Sequence, residues 1–427
     1  MPVDNLKIGR DRVRLLATYP AFRSLWAGQM LSQMGNAVFL IMGLWELQLR
    51  SPWLLAVAGL AMTVPNALAV VGGALVDRHD PRRLMLWTDF LRGGAVGLGL
   101  VALAVPGALP IVLIVLLGLN SLGASLFGPA EQVVLPGLVH DRDLPSANGV
   151  YSLTSQISGA VGSALGGAAV AAIGIRVVFG FDLGSFWFSA LAIGLMMRLV
   201  PAHRPSPAEG SVPAGKGLRA SLREGWRGLR ELPWLVRLLP VVLVNNFAFA
   251  AAFTMLPYWS RHLLHTRALG FGLIDGAWAA GLVTGSLLVG RFEPWAMRTV
   301  IQGMSLVVGL STLAFAGLRN PVAAGGVLLV AGIANGVMNA NLFTLLQRLI
   351  PEAIRGRAFG LLISLLALVT PLGSLLAGLT LHWIPLWWSW TLGGLGGITL
   401  AALAGRILPR DVTAQQVAAP PLATTDR

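Results

Sequence analysis

The sequence predicts an all-α integral membrane protein with twelve transmembrane helices in two six-helix halves. Of its 427 residues, 55% are hydrophobic and only 11% are charged, against about a quarter charged in soluble domains. The apolar residues gather into twelve runs, most of them reaching the roughly 20 residues that a helix needs to cross hydrocarbon. The longest interruption, from about 199 to 235, divides those runs six and six.

The runs cover approximately 22 to 48, 53 to 76, 84 to 105, 109 to 128, 147 to 174 and 177 to 198 in the first half. In the second they cover 236 to 258, 269 to 290, 299 to 318, 321 to 346, 358 to 382 and 385 to 407. They are continuous rather than alternating, which points to helices and not to barrel strands. The first run follows Lys7, Arg10, Arg12 and Arg14. It is too long for a signal-peptide core and no A-x-A site follows, so it reads as a retained helix.

Charge sets the orientation. Of the 31 Lys and Arg residues, Arg50, Arg176, Arg261, Arg267 and Arg319 fall in connections on one side, Arg92 lies inside a run, and all others fall on the opposite side. The positive-inside rule makes that richer side cytoplasmic, with both termini there. The net charge of +13 is therefore a topology signal and not a nucleic-acid footprint. The expected domains are an N-terminal bundle over 1–200, a cytoplasmic linker over 201–235, a C-terminal bundle over 236–410 and a cytoplasmic tail over 411–427. Within the linker, Leu218, Leu222, Trp226 and Leu229 recur at helical spacing among Arg219, Arg223, Arg227 and Arg230, which describes a basic amphipathic helix lying on the bilayer surface.

A faint repeat supports two parallel halves. Gln132 to Pro136 ends the fourth run and Gln347 to Pro351 ends the tenth, and an Asn stands twelve residues before each Gln, Asn120 and Asn335.

The loop after the second run reads Gly73-Ala-Leu-Val-Asp77-Arg78-His-Asp80-Pro-Arg82-Arg83. It resembles the G-x-L-x-D-R-x-x-R-R signature of the major facilitator superfamily, with Asp80 and Pro81 as departures. Phe22 through Gly35, Leu126 through Asn148 and Gln347 through Arg357 are similar to the branch holding enterobactin-type exporters and macrolide or multidrug efflux proteins. The resemblance implies the major facilitator fold in the inner (cytoplasmic) membrane, alternating access and proton-driven antiport. The stretch Gly159 to Gly167 is similar to the G-x-x-x-G-P-x-x-G-G element of antiporters, with Ser163 in place of Pro. Close helix packing explains the same glycines.

Charges in hydrocarbon are costly and therefore candidates. Asp89 and Arg92 are three apart, share a helix face, and suit an ion pair near the cytoplasmic gate. Glu46 can snorkel toward Arg50. Asp182 and Asp275 are lone acids near outer ends, and Trp278, one turn from Asp275, suits a cationic or amphipathic ligand. Asp275, Glu46 and Asp89 are the proton-coupling candidates. Gln29, Gln33 and Asn36 make one polar stripe and Asn335 and Asn339 another; with Asn120 and Trp278 they are substrate-cavity candidates, although interhelical hydrogen bonding explains such stripes equally well. At the gate, Asp77 is expected to cap the helix starting near Phe359, and Arg78 or Arg82 to pair with Glu131.

No cysteine occurs, and the six histidines mostly lie between the runs, so no metal site is expected. There is no phosphate loop and no cofactor motif. The expectation is a transporter and not an enzyme, its partners a small molecule, protons and lipid, and its state a monomer. A lipid or lysophospholipid translocator of the same fold and, less favoured, a polytopic membrane enzyme are the alternatives.

Overall fold

The computed structural model describes residues 15–67, 79–200, 232–292, 295–350, 352–380, 383, 385 and 387–408, and the side chains of 352–360, 363 and 364 are outside the description. Among the described residues the chain is helical. The helices are α1 (Pro20–Arg50), α2 (Trp53–Ala67), α3 (Pro81–Ala102), α4 (Leu109–Val134), α5 (Leu144–Ala172), α6 (Ile175–Leu199), α7 (Pro233–Thr254), α8 (Leu256–His262), α9 (Ala268–Leu288), α10 (Met297–Gly317), α11 (Pro321–Leu349), α12 (Glu352–Thr380) and α13 (Trp387–Ile407). Each of the twelve expected runs holds one of the long helices, and seven segments are long and apolar enough by themselves to cross a membrane. The amphipathic linker helix falls outside the described residues.

Local chemistry sets the helix ends. Proline stands in the first turn of α1, α4 and α5, where its missing N–H leaves no bond unmade. Asn320 caps α11, its side chain accepting from the N–H groups of Val322 and Ala323. Asp80 caps α3 in the same way, accepting from the Arg82 N–H. Gly107 and Gly174, at φ +81° and +83°, turn the chain between α3 and α4 and between α5 and α6 in a backbone region costly to residues bearing a Cβ.

The helices are inverted relative to a soluble bundle. Leu98 of α3 is 74% exposed and Leu191 of α6 is 72% exposed, whereas Asp89 and Asp182 on those two helices are 0% exposed. Water would not tolerate such a surface, but lipid requires it.

The chain forms two compact units. The first is Met1–Gly215 with Thr254–Gly276 and Ser374–Leu379, and the second is Lys216–Phe253 with Ala277–Gly373 and Thr380–Arg427. The expected boundary at 236 thus gives up short pieces to the first unit, and small residues explain one of them. A Cβ on Gly272 would lie 2.6 Å from the Ser163 carbonyl oxygen, so α5 and the start of α9 pack backbone to backbone. Gly162 and Gly166 bring α5 equally close to Met34 and Val38 of α1. Gly162, Gly166 and Gly167 of α5 therefore serve close packing, whereas Gly159 has open space around it.

Inside the first unit, α1 packs on α5 and α6, α3 on α4 and α6, and α2 on α4. The second unit repeats this order with α10 on α11 and α13, α9 on α11 through Gly281 and Gly332, and α7 on α13 through Asn245 and Gly396. The Asn246 side chain donates to Thr370 at 2.9 Å and so ties α7 to α12. The same order of helix packing thus recurs in each unit.

Candidate functional site

The site is a charged network inside the first unit, and the helix period builds it. Asp182, Phe186 and Ser189 lie at four- and three-residue steps on one face of α6. Opposite stand Asp89 and Arg92 on one face of α3. Asp89 and Asp182 are fully buried, and Arg92 is nearly so.

The contacts run in order along that face. The Gln29 amide of α1 donates to Ser189 Oγ at 2.8 Å and, at a longer 3.4 Å, to Asp89 Oδ2. Arg92 Nη1 reaches Asp89 Oδ1 at 3.5 Å. Its other nitrogens donate to Asn36 Oδ1 of α1 and Asn120 Oδ1 of α4, each at 3.2 Å. The guanidinium carbon sits 4.2 Å from the centre of the Phe186 ring, a cation–π arrangement suited to a desolvated cation. One turn beyond that ring along α6, both carboxyl oxygens of Asp182 are buried without a hydrogen-bond partner. A Cβ on Gly35 would stand 3.1 Å from Asp182 Oδ1, so α1 closes that side one residue before Asn36.

These groups sit at different depths. Arg82 Nη1 donates to the Val200 carbonyl at 3.0 Å, which levels the start of α3 with the end of α6. At about 1.5 Å rise per residue, Asp89 lies about 12 Å inside α3 from Pro81, and Asp182 about 10 Å inside α6 from its opposite end at Ile175.

Several sequence expectations find their partners here. Asp89 and Arg92 pair as their spacing predicts. Gln29, Asn36 and Asn120 hydrogen-bond to groups on neighbouring helices, the interhelical alternative that the sequence offers beside a substrate cavity. Gln33 is half-buried and faces Tyr151 of α5. Glu46 bonds to Arg50 at 3.0 Å one turn on, the snorkelling arrangement. Asp275 faces Ser163 of α5.

The gate differs from its expectation. Arg82 does not pair with Glu131. Its guanidinium forks onto Asp80, at 3.0 Å for Nη2 to Oδ2 and 3.2 Å for Nε to Oδ1. The reason is proximity, since Asp80 as the α3 cap is two residues away. Burial alone would raise the Asp80 carboxyl, but the Arg82 hydrogen bonds and the charges of Arg82 and Arg83 outweigh it and hold the group below its usual range. Glu131 is instead buried and turned toward Tyr151. Asp77 and Arg78 lie outside the described residues, as does the side chain of Phe359.

Sequence reasoning treated Asp182 as isolated and passed over Phe186 and Ser189. The signal was the spacing of those three residues on α6, which is invisible until α3 and α1 are laid against it.

In the second unit Trp278 joins a chain of aromatic rings. It lies 4.9 Å from Phe253 and 5.8 Å from Phe249; Phe253 is 5.6 Å from Trp390, which is 4.3 Å from Phe315. Trp390 and Phe315 are buried, and the other three are half-buried. Nearby in sequence on α11, Asn339 donates to Asn335 at 2.6 Å on an exposed face.

The sequence profile of the Major Facilitator Superfamily matches residues 25–372. The chain belongs to that superfamily. This major facilitator is accordingly a multi-pass membrane transporter and not an enzyme. Among curated proteins it is 24% identical over 366 residues to macrolide efflux protein A of Streptococcus pyogenes, covering 84% of this chain and 88% of that one. It is 28% identical to the enterobactin exporter EntS of Salmonella typhimurium strain LT2, covering 81% and 82%. Among solved structures, a peptide transporter, POT, in complex with alafosfalin superposes with a TM-score of 0.67 at 13% identity, covering 93% of this chain and 98% of that one. A bacterial homologue of the iron transporter ferroportin in an inward-facing state gives 0.64 at 17%, covering 90% and 98%. At such identities these structures speak for the fold.

Proposed function

We propose that this major facilitator exports a small amphipathic molecule across the inner membrane, by alternating access coupled to inward proton movement. The observation that carries the export reading is the likeness, over more than four fifths of the chain, to macrolide and enterobactin exporters. Proton coupling is supported by the buried network, because a carrier uses a gradient only if some group binds the proton differently in its two states. Asp89 and Asp275 remain the acids of the original set able to serve, since Glu46 is bound to Arg50. The half-buried rings of Phe249, Phe253 and Trp278 suit an amphipathic substrate with apolar or aromatic surface.

The test uses the purified protein in proteoliposomes loaded by an imposed pH gradient, with radiolabelled erythromycin and enterobactin as probes. The expected result is accumulation of at least one probe that collapses when the gradient is dissipated. Equal flux with and without the gradient would remove proton coupling, and no flux of either probe above protein-free liposomes would remove this substrate class.

A further inference from the structure

The network holds two carboxyls and one guanidinium, all buried in a helix bundle whose outer surface is apolar. Counting charge, Arg92 can neutralise one acid at a time, and an uncompensated carboxylate in such surroundings is strongly disfavoured. The other acid must therefore hold a proton. In this structure Arg92 reaches Asp89, and the carboxyl of Asp182 has no hydrogen-bond partner.

Arg92 is not clamped where it stands. Its contact with Asp89 is long, its shorter bonds go to two neutral asparagine oxygens, and its flat group lies on the Phe186 ring. Asp182 is one turn further along α6 on the same face as that ring. The guanidinium thus has an acid on either side of an aromatic surface over which it can slide without losing all its partners.

We propose that Asp182 and Asp89 share a single proton, and that Arg92 crosses the Phe186 face to whichever of the two is bare. This rests on the proton-coupled reading above and names the acids that serve it. With Arg92 on Asp89 the proton is on Asp182. When the O–H bond of Asp182 breaks, water takes the proton, Arg92 moves to the new carboxylate, and Asp89 gains a proton through water in turn. Charge in the bundle is the same before and after. Because the two acids lie toward opposite ends of the helices, the exchange shifts the proton between two depths of the bundle. The other titratable groups near the trio are Glu131 of α4 and Tyr151 of α5, which sense Asp89. The charges acting on Asp182 come from α3, and α1 contributes the uncharged Gly35 and Asn36.

Infrared spectroscopy of the substrate-free protein in detergent near neutral pH tests this apart from transport. Wild type is expected to show a protonated-carboxyl C=O band that Asp182→Asn abolishes. The deciding variant is Asp89→Asn: with its partner gone Arg92 should move to Asp182, ionise it, and abolish the same band although Asp182 is untouched. If the band persists in Asp89→Asn, Asp182 is protonated independently and the sharing is refuted. If wild type shows no protonated-carboxyl band at all, the proposal fails without depending on how either variant folds. Gradient-driven accumulation in wild-type proteoliposomes is the separate measure of the underlying reading, so coupling can stand while the sharing falls.

Discussion

The first unit buries Asp89, Arg92, Asp182 and Glu131 among its helices, while the buried polar side chains of the second, among the described residues, are Ser305, Thr312, Asn341 and Ser389, with no charge among them. Both units pack their helices in the same order, so the scaffold does not dictate the difference. The second instead gathers the Phe253, Trp278, Trp390 and Phe315 rings into a chain. A charge inside a bundle costs far more than a ring to keep there. Duplicated packing with an unduplicated core indicates that each unit's contents answer to something other than the scaffold, with charges in one and aromatic rings in the other.

The largest expected effect breaks the charged side of this comparison. Arg92→Leu strips the cation from two buried acids and from Asn36 and Asn120. Removing one member of a buried pair typically costs about 3–5 kcal/mol, read as a lowered thermal midpoint in detergent. Adding Asp89→Leu to that variant should recover a substantial part of the loss, because a well-packed apolar pair replaces a buried ionic one at little cost. A single variant as stable as wild type would show that the network is not held by charge at all.

Part of this site was legible beforehand, and the division follows sequence distance. Asp89 with Arg92 and Glu46 with Arg50 are pairs within one helix, and their three- and four-residue spacings suffice to place them on shared faces. The stripe from Gln29 to Asn36 could be drawn on one helix, but whether it faced a cavity or a neighbour depended on α3 and α6, far along the chain. The Asp182 carboxyl makes no ion pair or hydrogen bond, but its place one turn from the ring beneath Arg92 was not legible, since Arg92 stands 90 residues earlier. Arg82 bonds Asp80 and not Glu131 because the α3 cap is two residues away and already oriented.

A second pair of variants compares two capped helix starts, one in each unit, rather than cores. Asp80 caps α3 and Asn320 caps α11, and loss of such a cap costs about 0.5–2 kcal/mol. Asp80 also holds Arg82, which in turn reaches the Val200 carbonyl at the end of α6, whereas Asn320 serves only its own first turn. Asp80→Ala should therefore fall near the upper end of that range and Asn320→Ala near the middle. Equal losses in chemical denaturation would mean that the tie from α3 to α6 adds nothing.

The smallest effect lies just before α1 in the first unit and is a pH dependence. Tyr19, just before α1, donates to Asp143 Oδ2 at 2.6 Å, and its ring meets His140 edge-on at 5.7 Å. The Tyr19 hydrogen bond, followed by the charge of Arg142, holds the Asp143 carboxyl below its usual range. A group whose folded pKa is depressed stabilises the fold above its unfolded value and loses that contribution as pH falls through the folded one. The affected window is therefore the acid limb at and below the ordinary carboxylate range, with nothing expected near neutrality or above. Tyr19→Phe removes the donor while keeping the ring against His140, so the variant should lose slightly less stability than wild type on acidification and start from a slightly lower plateau. Both groups are solvent-accessible, and water competes for the same bond. Thermal midpoints of wild type and Tyr19→Phe, measured across that limb, should converge as pH drops; parallel curves would mean that the Tyr19 hydroxyl contributes nothing to holding α1 against the loop between α4 and α5.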